Sequence, residues 1–100
     1  MLKHIVLFKL KEHAEGAGKA ENAGKAKEAL EALAKKIPQV RRLEVGINSI
    51  SSDAAYDIAI YSEFADEKDL SLYMSHPEHV KVAEFLGKVR ESRAVVDYLV

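Results

Sequence analysis

The pattern of this 100-residue chain predicts an α+β fold of the ferredoxin-like, split βαβ type, in the order β-α-β-β-α-β. Three observations predict it. Four runs alternate apolar residues with period two, two regions carry apolar stripes at helical spacing, and Pro38, Pro77 and a polar tract at 48–53 separate them. That order yields a four-stranded antiparallel sheet with the helices on one face.

Residues 2–10 read as the first strand, with Ile5 and Leu7 on one face and Val6, Phe8 and Leu10 on the other. Residues 12–22 read as a loop, because Gly16 and Gly18 weaken any helix there. A helix over 20–36 places Ala23, Ala26, Leu30 and Leu33 on one stripe that runs on to Ile37. Its solvent side carries Glu21, Lys25, Glu28, Glu31 and Lys35, with Glu-to-Lys pairs four apart. Pro38 stops it.

The second strand spans Val40 to Asn48, with Leu43, Val45 and Ile47 alternating. Asn48 to Asp53 is a turn by composition. Tyr56 to Phe64 is the third strand, with Ile58, Ile60 and Phe64 on one face and Ala59 and Tyr61 on the other. Asp66 is placed to cap a short helix over 67–75. A second helix over 77–92 carries Val82, Phe85, Leu86 and Val89, and Arg93 to Val100 is the final strand.

Residues 1–100 therefore read as one domain. With 48% hydrophobic and 31% charged residues the composition is that of a soluble globular protein, and the net charge of -1 gives no reason to expect a nucleic-acid or anionic-membrane partner. Cysteine is absent, which excludes disulfides, thiol nucleophiles and Cys-based metal sites. The first residues are too charged for a signal-peptide core, and no apolar run approaches the roughly 20 residues of a membrane span. A cytoplasmic location is expected. No phosphate-cradling glycine loop, dinucleotide fingerprint or nucleophile elbow is present, so no cofactor is implied. Lys35, Lys36, Arg41 and Arg42 cluster around Pro38, but Glu31 and Glu44 dilute them into a solvated surface.

Both faces of the sheet are apolar. Val95 and Leu99 lie on one face of the last strand, and Val96, Tyr98 and Val100 on the other. A monomer has helices for only one face. The expected cover for the second is another copy of the same sheet, giving a homodimer built as a dimeric α/β barrel.

The densest chemistry lies in Tyr73-Met74-Ser75-His76-Pro77-Glu78-His79-Val80, where one short helix ends and the next begins at Pro77. Tyr73 can hydrogen-bond through its hydroxyl, and His79 can exchange a proton near neutral pH. On one continuous helix six residues turn through about 600°, so the two side chains would face apart. A break at Ser75-His76-Pro77 is needed to bring them together. His76 and His79, three apart, form half a metal site at best, and no metal is expected. His4 shares a strand face with Val6 and Phe8, at the pocket or at its rim.

The chain resembles the stress-responsive A/B barrel (Dabb) domain family over essentially its whole length. The resemblance is carried by Leu2 to Lys9, Ile37-Pro38, Leu43-Glu44-Val45-Gly46, Tyr56-Asp57, Ser75 to Val80 and Asp97-Tyr98. It implies a dimeric α/β barrel. Family roles are mixed. Some plant members are stress-induced or antifungal, and one plant branch cyclises a linear polyketide without a cofactor. In that branch a His deprotonates carbon while a Tyr holds the thioester oxygen, and Tyr73 and His79 match these two positions. His4 matches a His in the first strand. A second His of that branch has no counterpart in Tyr56-Asp57-Ile58-Ala59, so the substrate does not carry over.

Two functions follow as expectations. In the first, each protomer binds a small apolar carbonyl compound and performs cofactor-free proton transfer or cyclisation, with His79 as base, Tyr73 as oxyanion donor, and His4 and His76 as ligand contacts. In the second, the protein is a non-catalytic, stress-associated structural dimer whose Tyr and His only pack. An oxygenase or haem-handling role has fold analogy alone behind it.

Overall fold

The computed structural model describes residues 1–100. In chain order it forms β1 (Leu2–Leu10), β2 (His13–Ala14), β3 (Ala17–Gly18), α1 (Lys19–Lys36), β4 (Arg42–Ile47), β5 (Ile58–Phe64), α2 (Glu67–Ser75), α3 (Pro77–Val89) and β6 (Arg90–Leu99). The main sheet has the order β4-β5-β1-β6, and each neighbouring pair is antiparallel. This is the α+β, ferredoxin-like arrangement that the sequence predicts.

Strand β1 is central and strictly alternating. Leu2, His4, Val6, Phe8 and Leu10 are buried, while the residues between them are only partly covered. The register places Val6 opposite Ile60 and Val95, which puts these three on the helix side. Ile5 lies opposite Tyr61 and Val96, and Leu7 opposite Ala59 and Ala94, on the outer side. The stripe expected on the first helix is buried throughout, from Ala23 to Ile37. α1 packs on β4 and α3, and α2 packs on β5 and α3. Asp66 caps α2 as anticipated, its carboxylate accepting from the Asp69 N–H at 2.9 Å.

Three boundaries differ from the sequence reading. The expected loop at 12–22 contains a two-residue hairpin. β2 and β3 pair as His13 with Gly18 and Ala14 with Ala17, and Glu15 and Gly16 at the tip have φ of 52° and 75°. Positive φ at both central residues is what a primed hairpin turn requires. Glu-Gly is a weaker signal for it than Asn-Gly, and the turn is held from elsewhere. The buried Asn22 of α1 donates through Nδ2 to the Ala14 carbonyl at 3.0 Å.

The strands β4 and β5 are shorter than the apolar runs that mark them. The third difference lies at the α3–β6 junction. The helix ends at Val89 and not at residue 92, and β6 starts at Arg90. Arg90 and Glu91 have good helix propensity, but Arg90 and Ser92 pair with Leu10 and Lys9 of β1. Sheet pairing overrides local preference there.

On the outer side the sheet remains open: Val96 is 53% exposed and Tyr98 42%. No helix is long and apolar enough to cross a membrane.

Phe64 is fully buried beneath the helices, where it touches Tyr73 and His4. Phe64→Ala is expected to cost about 3–5 kcal/mol of folding stability. Urea denaturation followed by circular dichroism reads that loss directly, and a cost under about 1 kcal/mol would show that this layer is not the core.

Candidate functional site

The site begins at the junction of two helices. His76 is extended, with φ −63° and ψ 135°, as the residue before a proline tends to be. Pro77 then opens α3 at a position where its missing N–H costs nothing. α2 and α3 are therefore separate helices, and the six-residue interval between Tyr73 and His79 crosses a corner. Their rings meet, with centroids 4.5 Å apart and planes tilted by 58°. Phe64 supports Tyr73 from below at 4.9 Å, and His4 meets the edge of Phe64 at 6.3 Å.

His79 has a defined tautomer in its neutral form. Its Nδ1 lies 3.1 Å from the Met74 carbonyl oxygen, which can only accept, so Nδ1 carries the hydrogen. Met74 sits in the last turn of α2, where carbonyls lack helical partners, and the imidazole supplies one. Nε2 is left with a free lone pair. Burial away from water holds the His79 pKa below its ordinary 6.5, opposed by the Met74 hydrogen bond and reinforced by the nearby His4, Arg93 and His76. The ring is thus a neutral base at pH 7.

Tyr73 is 2% exposed. Burial pushes its pKa up to about 12, so the phenol keeps its proton and can donate it in a hydrogen bond. Both residues line one cavity of about 270 Å³ between the sheet and the α2–α3 corner. Val6, Phe8, Leu30, Ile60 and Leu86 supply its apolar wall. This lies just below the usual range for ligand cavities and suits a small ligand.

The structure sorts the remaining candidates. His4 also lines the cavity and is 4% exposed, so it lies inside and not at the rim. Its Nδ1 is 2.5 Å from Asp97 Oδ1, its cross-strand neighbour, an acceptor that orients the ring and leaves Nε2 without a protein partner. His76 is not brought to the cavity. It is the cap of α3, its Nδ1 accepting from the Glu78 N–H at 3.1 Å. No group of three or more His, Asp or Glu side chains is arranged to hold a metal ion.

Sequence reading missed three members. Asp97 entered it only as part of a strand motif, and its pairing with His4 depends on register. Arg90 and Arg93 also line the cavity, beside His79 and Val82. No periodicity marks them, since three residues along a regular strand point to opposite faces.

Comparison with known proteins agrees with this architecture. The family model for the Stress responsive A/B Barrel Domain matches residues 2–100. An uncharacterized protein of Streptomyces coelicolor is 39% identical over 80 residues, covering 79% of each chain. A stress-response A/B barrel domain-containing protein of Arabidopsis thaliana is 29% identical, and the match covers 99% of this chain but 47% of that protein. A dimeric protein of unknown function and ferredoxin-like fold from Bacteroides fragilis superposes with a TM-score of 0.84 at 42% identity, covering 99% of this chain and 95% of that one. This chain belongs to the stress responsive A/B barrel domain family.

The lowered His79 pKa has a direct consequence. Well above pH 6.5 the ring is neutral folded or unfolded and adds nothing to the pH dependence of stability. As pH falls from 6.5 through the lower folded value, the unfolded chain takes up the proton first, so stability is lost. The His79 proton resonance is expected to titrate with a midpoint below 6.5, and a midpoint at or above 6.5 contradicts the buried, neutral ring. Acid destabilisation is expected to be smaller in His79→Gln.

Proposed function

We propose that this protein is a homodimer in which each protomer binds a small apolar carbonyl compound and moves a proton on it without a cofactor. The observation that carries the proposal is the pairing of Tyr73 and His79, rings 4.5 Å apart, on the wall of one largely apolar cavity.

The chemistry follows from the two side chains. His79 Nε2 removes a proton from the carbon next to the substrate carbonyl. The C–H electron pair moves into the forming C=C bond, and the carbonyl π pair moves onto oxygen. The Tyr73 hydroxyl donates to that oxygen as charge develops on it. The imidazolium then returns its proton to carbon or oxygen, which restores the enzyme. His4, held by Asp97, presents a second ring nitrogen to the same space.

One observation favours a purely structural role for His79, its hydrogen bond to the Met74 carbonyl across the α2–α3 corner. The two roles separate by experiment. Deuterium exchange next to the carbonyl of C5–C8 ketones and 2-oxo acids, followed by NMR, is expected to be accelerated by the protein. His79→Ala is expected to lower that acceleration by about 100-fold or more, and Tyr73→Phe by about 10-fold or more. Exchange that survives His79→Ala would remove the base. Lost melting temperature with no exchange by the native protein would support the structural reading.

Dimerisation is proposed through the outer face of the sheet. Ile5, Leu7, Val96 and Tyr98 share that face, no helix covers it, and the B. fragilis relative is described as dimeric. Val96→Asp would place a charge on that face. Sedimentation velocity is expected to show monomers, or the variant to be insoluble. Native-like dimers of Val96→Asp would exclude this face as the interface.

A further inference from the structure

The cavity carries fixed positive charge that the proton-transfer chemistry above does not use. Arg90 and Arg93 both line it, and no Asp or Glu does. Six lysines make seven ion pairs with carboxylates, and no ion pair involves an arginine. Neither of these guanidinium groups makes a side-chain hydrogen bond to the protein. Two arginines without a carboxylate partner thus line one largely apolar cavity.

Their placement depends on an irregularity in the sheet. Arg93 lies opposite Phe8 of β1, on the cavity side, and Ser92 opposite Lys9, on the outer side. In unbroken register Glu91 would follow opposite Leu10. Instead the register shifts between Lys9 and Leu10, and Arg90 is the residue paired with Leu10. The extra residue of the bulge returns Arg90 to the cavity side. Without it, residues three apart would point to opposite faces. The bulge thus puts two cations on the same wall.

We propose that the cavity takes a small molecule with an apolar body and a terminal carboxylate, the anionic end held by Arg93 with Arg90 beside it. The body lies along Val6, Phe8 and Leu86, within reach of Tyr73 and His79. A guanidinium offers a planar pair of N–H donors that matches a carboxylate edge to edge. The assignment deepens the ligand-site reading above and rests on it. Arg90 has a second role, since it caps the C-terminal end of α3, where a cation is favourable. Arg93 has no such duty, so it is the residue whose loss reports on the ligand.

The test uses the full-length protein and three six-carbon probes in calorimetric titrations: hexanoate, its uncharged analogue hexanamide, and hexyl phosphate. Hexanoate is expected to bind at least about ten-fold more tightly than hexanamide, the scale of a charge-assisted hydrogen bond. Arg93→Gln is expected to lower hexanoate affinity about ten-fold and leave hexanamide unchanged, with Arg93→Lys recovering part of the loss. Equal binding of hexanoate and hexanamide by the native protein overturns the proposal, as does hexanoate binding unmoved in the Arg90→Gln, Arg93→Gln double variant. Tighter binding of hexyl phosphate than of hexanoate overturns carboxylate as the anion. Failure of the chemistry reads differently: Arg93-dependent hexanoate binding without deuterium exchange removes the proton transfer and keeps the anion site. If none of the probes binds, both the cavity as a ligand site and the carboxylate assignment are overturned.

Discussion

Strand β1 is the constraint on which the rest of this molecule depends. It lies between β5 and β6, and its strict alternation sets what each side of the sheet must do. The inward residues, from Leu2 to Leu10, bury the helices' apolar stripes and form the cavity floor through His4, Val6 and Phe8. The outward Ile5 and Leu7 meet Tyr61, Val96 and Ala94 across the ladder. A one-residue slip would exchange these two sets and destroy both surfaces. Core, cavity and outer face are therefore specified together.

The α2–α3 corner is the second determinant. Two helices meet where one would otherwise run on, because the residue before Pro77 is extended and proline suits a first turn. Helix ends leave polar groups unsatisfied, and this corner uses side chains to satisfy them. His76 serves the start of α3, and His79 serves the end of α2. The second contact selects the tautomer of His79 and leaves Nε2 as its basic nitrogen. One hydrogen bond thus both stabilises the corner and prepares a base, which is why structural and catalytic readings of His79 overlap.

The cavity separates its functions by polarity. Its apolar wall lowers the proton affinity of His79 and raises that of the Tyr73 phenol through the same desolvation, in each case favouring the uncharged form. A neutral base and a protonated donor beside each other suit the formation of an enolate better than two charged groups would. Arg90 and Arg93 lie on the same cavity, and the charge of Arg93 also acts on His79.

Much of this was legible from local pattern alone. The alternation of β1, the α1 stripe from Ala23 to Ile37, the Asp66 cap and the need for a break before Pro77 depend on residues near one another in the chain. Local sterics and burial act at that range, so the sequence determined the elements, their order and the candidate pair Tyr73 and His79. Other features needed partners distant in the chain. The hairpin at Glu15-Gly16 is held by Asn22, and β6 starts early because β1 recruits Arg90. His4 meets Asp97 only through the register of two strands 93 residues apart. Most of all, the bulge that turns Arg90 and Arg93 to one side exists only in the pairing of β1 with β6. No periodicity within a single strand contains it, so the charge of the cavity was decided by the tertiary structure.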